Sequence, residues 1–191
     1  MRVGLGYAGL ALLAVLWLLP LGQWLGADFP HHMLRHMGLV AVVAPLLVLG
    51  FPKVTAVFAL SPLLGAVAEF VVVWGWHLPA LHGWADGGWP GLVLEQLSFA
   101  LAGLLVWAGC LRGEPLAGAG GLLLTSMHMT LLGALIILAP RDLYAAICGR
   151  APDLDAQQLG GLLMLGIGTP IYLVAGLALV ARALEDKRET A

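Results

Sequence analysis

The chain has 191 residues, of which 61% are hydrophobic and only 10% charged, with a formal net charge of -2. That composition excludes an ordinary water-facing surface, and a small charge without any basic run excludes nucleic acid as a partner. Cys110 and Cys148 form no CxxC motif, which argues against a thiol-based metal shuttle, and their expected places near opposite membrane faces argue against a disulfide between them.

A hydrocarbon core about 30 Å thick is crossed by roughly 20 apolar residues in helical form. Runs of that length recur along the chain without the apolar–polar alternation of barrel strands. The expected fold is therefore all-α, a polytopic membrane bundle of about six transmembrane helices that makes residues 1–191 a single domain. The spans fall near 3–24, 31–51, 54–78, 90–111, 116–139 and 157–181.

The first run follows Arg2 and has no small-x-small cleavage site before a polar start, so it reads as a retained span, not a signal peptide. Pro20 near its end, Pro45 in the second span and Pro170 in the sixth predict kinks, with neighbouring helices taking up the carbonyls that proline frees. The second span opens on His31-His32-Met33-Leu34-Arg35-His36-Met37. Here His32 and His36 share one helix face, and Met33 with Met37 repeats that spacing about 100° around. Imidazole suits copper and zinc, and thioether favours Cu(I), so the combination points to copper.

The third span is interrupted by Ser61-Pro62, although a helix starting at Pro62 still reaches His77. His31, and His82 in the loop that follows, are expected to be no more than hydrogen-bonded interfacial residues. Trp74, Trp76, Trp84 and Trp89 suit a headgroup-level belt. Glu95 and Gln96 enter the fourth span, and His128 sits deep in the fifth between Met127 and Met129. Glu69 and His128 are ionisable at mid-membrane, where lack of a partner is costly; they are candidates to pair with each other, with Glu69 otherwise a structural anchor. The sixth span opens on Asp155, Gln157 and Gln158, and its Gly160-Gly161 and Gly166-Ile167-Gly168 suit close helix packing.

Placing both termini in the cytoplasm puts Arg2, Lys53, Arg112, Arg182, Lys187 and Arg188 inside, against Arg35, Arg141 and Arg150 outside. In that orientation His31, His32, His36, His77, His82 and Glu95 all gather at the non-cytoplasmic end. The candidate metal ligands are His32, Met33, His36, Met37, His77 and Glu95, drawn from facing helices.

Several stretches taken in order resemble a known family. They are His32-Met33 and His36-Met37 followed by Ala44-Pro45-Leu46 and Leu49-Gly50, then Trp76-His77-Leu78-Pro79-Ala80-Leu81, then Leu94-Glu95 with Ser98-Phe99. Leu132-Gly133-Ala134, Leu143-Tyr144 and Gln157-Gln158-Leu159-Gly160-Gly161-Leu162-Leu163-Met164 complete the pattern. The chain resembles the CtaG-type assembly factors of caa-type cytochrome c oxidase, as a divergent member. That resemblance implies a multi-pass protein of the bacterial inner membrane that works with haem-copper oxidase subunits. It further implies help in copper delivery or insertion from the outer side. Leu92 and Gln96 stand where the family usually has histidines, and Ala156 stands where an acid usually precedes the paired glutamines.

Two other readings compete. His36 and His77 on facing helices suit a haem-binding electron carrier, and Glu69 with His128 suits a small-solute or ion transporter. No GxSxG, HExxH or phosphate-binding glycine loop is present, so an enzyme is not expected.

Overall fold

The computed structural model describes residues 2–25 and 28–189, all of whose regular elements are helices. In chain order these are α1 (Arg2–Leu18), the short α2 (Leu21–Leu25), and α3 (Asp28–Met37), which runs through a π-helical turn (Gly38–Val43) into α4 (Ala44–Gly50). A 3-10 turn (Thr55–Phe58) leads to α5 (Pro62–Trp76) and α6 (Pro79–Asp86), and then to the long α7 (Trp89–Arg112), α8 (Pro115–Leu138) and α9 (Leu154–Glu189).

Among the described residues, four helical stretches are long and apolar enough to cross a membrane: Asp28–Gly50, Trp89–Arg112, Pro115–Leu138 and Leu154–Glu189. A fifth arises if α5 and α6, bent by 73°, form one broken span. The expected count of about six is thus four or five by length and composition. The difference lies in the first run, which ends as a 17-residue helix at Leu18, and, unless the bent pair is one span, in the 15-residue α5 as well. Pro20 is the reason: it offers no N–H to the Leu16 carbonyl, and its ring crowds that turn. Arg35 takes the freed group instead, its Nε donating to the Leu16 carbonyl at 3.1 Å while the guanidinium lies 5.0 Å from the Trp17 ring centre.

Pro45 acts differently. The π-helical register carries Ala44 N–H to the Leu39 carbonyl, so the next bond in that register would need an N–H from Pro45. Val40 is left with a free carbonyl, and two neighbours meet it: the Trp107 indole at 2.8 Å and the Tyr172 hydroxyl at 3.1 Å. One proline therefore ties the second span to α7 and α9. By contrast, α9 continues through Pro170.

Other breakers in the sequence are helix starts. Ser61 caps α5, accepting from Leu64 N–H at 3.3 Å ahead of Pro62. Glu114 caps α8 in the same manner, accepting from Ala117 N–H at 2.9 Å ahead of Pro115. Both arrangements put an acceptor at the N-cap and proline at the first helical position.

Small residues set the closest approaches. A Cβ on Gly50 would stand 2.0 Å from Gly6 N, so α1 and α4 touch backbone to backbone, and one on Gly161 would stand 3.0 Å from the Gly133 carbonyl between α8 and α9. Outward, Leu63, Val71, Leu97, Leu135 and Leu162 are each more than half exposed, as suits side chains facing lipid. The tryptophans divide: Trp84 and Trp89 are exposed, whereas Trp76 is buried, donates to Ser98 Oγ at 2.7 Å and stacks on Trp84. The exposed pair fits the interfacial belt, Trp76 does not, and Trp74 is half-buried.

Candidate metal centre

Glu95 organises one end of the bundle. It projects from the second turn of α7, is fully buried, and meets three side chains. His32 Nε2 lies 3.0 Å from its Oε1, His36 Nε2 lies 3.4 Å from its Oε2, and Gln96 Nε2 donates to Oε2 at 3.1 Å. The four-residue spacing read from the sequence does bring His32 and His36 side by side, with ring centres 4.1 Å apart.

His77 enters from the C-terminal end of α5. Its Nδ1 is 2.6 Å from the Val73 carbonyl, and a carbonyl can only accept, so Nδ1 carries the proton and Nε2 is left with its lone pair. That Nε2 is buried and has no hydrogen-bond partner. Anchoring one imidazole nitrogen on a backbone carbonyl is how proteins orient a histidine whose other nitrogen binds metal. The His36 and His77 ring centres are 5.9 Å apart.

His82 is the member that the sequence reading set aside. Leu78 adopts the extended backbone favoured before proline, α5 and α6 bend at that point, and α6 turns back over the cluster. The His82 ring, 5% exposed, thereby comes to 4.9 Å from the His32 ring. Together His32, His82 and Glu95 offer three ligand atoms within 4.8 Å of one another. A tetrahedral ion with bonds of about 2 Å holds its donors about 3.3 Å apart, so closing on an ion asks for shifts on the order of 1 Å. His spacing alone could not have revealed this; the Leu78-Pro79 signal for a bend was the available clue.

Met33 and Met37 are buried against a different neighbour. Met33 Cγ lies 3.0 Å from the place of a Cβ on Gly160, and Met37 Cε lies 2.7 Å from that of Gly168. These glycines make room on α9 for the thioethers.

A cavity of about 320 Å³ opens onto the cluster, lined among others by His31, His32, His82, Asp86, Leu92 and Cys148. Its cap is the segment 139–153, which is pinned twice. Tyr144 is buried with its hydroxyl donating to the His77 carbonyl at 3.2 Å and its ring centre 4.4 Å from that of His82. Asp142 accepts from the N–H groups of Tyr144, Ala145 and Asp153 and pairs with Arg150 at 2.7 Å. Burial alone would raise the Asp142 carboxyl, but those N–H groups and Arg150 hold it below the usual carboxylate range. The glutamine pair fastens the same segment: Gln157 accepts from Leu143 N–H at 2.7 Å and donates to the Ile136 carbonyl at 3.0 Å, while Gln158 donates to that of Ile137 at 3.3 Å. Carbonyls at the C-terminus of α8, which have no intrahelical donor, are thus satisfied from α9.

The deep pair did not form. Glu69 is hydrogen-bonded to the Tyr172 hydroxyl, whereas His128 lies edge-on to Phe70 with neither ring nitrogen partnered. Glu69 thus makes the hydrogen bond expected of a structural anchor. Both cysteines are free.

No curated protein and no solved structure matches the chain. The family model described as cytochrome c oxidase caa3 assembly factor (Caa3_CtaG) matches residues 1–62 and 53–186.

Proposed function

Because the chain belongs to the family of cytochrome c oxidase caa3 assembly factors, we propose that its histidine-rich end holds a copper ion and hands it to a haem-copper oxidase during assembly. In this reading the protein sits in the bacterial cell membrane with both termini in the cytoplasm, contacts oxidase subunits, and catalyses no reaction of its own. The observation that carries the reading is the convergence of His32, His82 and Glu95 from three separate helices beneath an open cavity. Imidazole nitrogen is a good copper ligand, and a carboxylate adds charge compensation in a buried place.

His36 and His77 stand beside this trio, and their buried unpartnered nitrogens offer further ligands as the ion moves inward. Met33 and Met37, packed on α9, serve the frame and supply no ligand in this reading. Glu95 can act without the neighbouring histidines usual in the family, since Gln96 orients its carboxylate and His82 takes a ligand position.

Metal analysis of the protein purified in detergent tests this. About one copper per chain is expected, falling to background when His32, His82 and Glu95 are all changed to alanine. Background copper in the unaltered protein would overturn the reading. A haem carrier is disfavoured by Phe99, which lies 4.1 Å from His36 and 6.5 Å from His77 between ring centres and fills the space a porphyrin needs. A transporter built on Glu69 and His128 loses its motivation, because those side chains are not paired.

A further inference from the structure

The cavity above the histidine cluster contains a soft ligand that the copper reading has not used. Cys148 lines it together with Asp86, His31 and His82. Asp86 and the thiol stand on the wall of the same cavity. His82 is 95% buried, lines the same cavity and leaves Nδ1 without a hydrogen-bond partner; the buried Nε2 of His31 is unpartnered as well.

The position of Cys148 is built. Its N–H bonds to the Tyr144 carbonyl at 2.9 Å, and the next residue, Gly149, has a φ of 65°, a backbone conformation that favours glycine. Arg150, held by Asp142, then returns the chain toward α9, while Ile147 fits against Gly83 of α6. Tyr144 connects this turn to the histidine cluster through His77 and His82. Thiol and imidazoles therefore share one cavity in a fixed relation.

We infer that Cys148 is the capture ligand for the incoming metal, taking a soft cation at the cavity mouth and passing it inward to His82 and His32. The inference rests on the reading of His32, His82 and Glu95 as the copper position. Thiolate is the softest ligand available in a protein and suits Cu(I), whereas the inner imidazole and carboxylate groups are harder, so the two positions differ in kind. As the metal–sulfur bond forms, the thiol releases its proton, and the Asp86 carboxylate that lines the same cavity is the acceptor. Transfer to His82 breaks the metal–sulfur bond, and the proton returns to sulfur. The metal keeps its oxidation state throughout, so no electron donor or acceptor is required.

The test follows Cu(I) loading of the detergent-purified protein by anaerobic stopped-flow mixing with a weak chromogenic Cu(I) chelator. Cys148→Ser is expected to slow loading by at least about tenfold while leaving the final copper per chain unchanged, and Cys110→Ser is expected to load at the unaltered rate. A second measurement needs no change in the capped segment. In His32→Ala/Glu95→Gln, where the inner position is disabled, Cu(I) should still protect Cys148 from a small thiol-alkylating reagent. Loading of Cys148→Ser at the unaltered rate, or absence of that protection, overturns the capture role and leaves the inner site standing. Failure of the unaltered chain to take up Cu(I) overturns both.

Discussion

In the middle of the bundle, Val40, Trp107, Tyr172 and Glu69 satisfy one another across four helical segments; at its histidine end, His36, His77 and His82 keep nitrogens that no other protein group meets. Both regions are buried and both are polar. In the first, only Glu69 Oε2 is left over among these groups, whereas the second leaves His36 Nδ1, His77 Nε2 and His82 Nδ1. A buried polar atom without a partner costs about 1–3 kcal/mol, so a protein keeps several of them together only where something else supplies the missing interaction. The middle cluster belongs to the frame. The end cluster is where the proposed copper ion would supply what is missing.

Exchanging roles between the two regions is the most direct way to break this comparison. Glu95→Ala should lower copper affinity by about 100-fold or more, while Glu69→Gln should leave copper content unchanged. Equal losses in the two variants, measured as metal per chain after dialysis against a chelator, would erase the distinction. Stability should respond the other way round. Tyr172→Phe removes the hydroxyl from both the Val40 carbonyl and Glu69, which should cost about 1–3 kcal/mol in detergent unfolding without altering copper binding.

A smaller and more local effect is expected in the cap. Because Asp142 is held below the usual carboxylate range, the stability it lends is complete above that range and is lost as pH falls through its depressed value. Asp142→Asn should remove this pH dependence and speed amide exchange in 142–153 roughly tenfold near neutral pH, as read by hydrogen exchange. Smallest of all, Arg35→Ala should cost about 0.5–1 kcal/mol through the lost Leu16 and Trp17 contacts, and it should loosen α1 before any other element. A loss spread evenly over all helices would show that Arg35 serves more than this junction.

Much of this arrangement was legible in the residues. Apolar runs gave the second, fourth and fifth spans to within a few positions, because hydrophobic length is dictated by the bilayer, whereas α9 runs on past the expected end at residue 181 to Glu189. His32, His36, His77 and Glu95 were legible because helical spacing puts them at one end. Three features were not. Pro20 announces the break in the first run, but that Arg35 takes the freed Leu16 carbonyl is seen only in the packed structure. His82 joined the cluster through the bend at Leu78-Pro79, whose angle is set by packing and not by spacing. Met33 and Met37 suited a metal by type, yet glycines on a helix more than a hundred residues away supplied their surroundings.

The π-helical turn at Gly38–Val43 has an implication for how this segment tolerates change in length. Arg35 fastens α1 on one side of the turn, and Val40 fastens α7 and α9 on the other. An inserted or deleted residue between Arg35 and Pro45 would rotate one fastening against the other by about 100°. Every residue from His36 to Ala44 except the half-buried Val42 is buried, so side-chain volume and segment length are held together here.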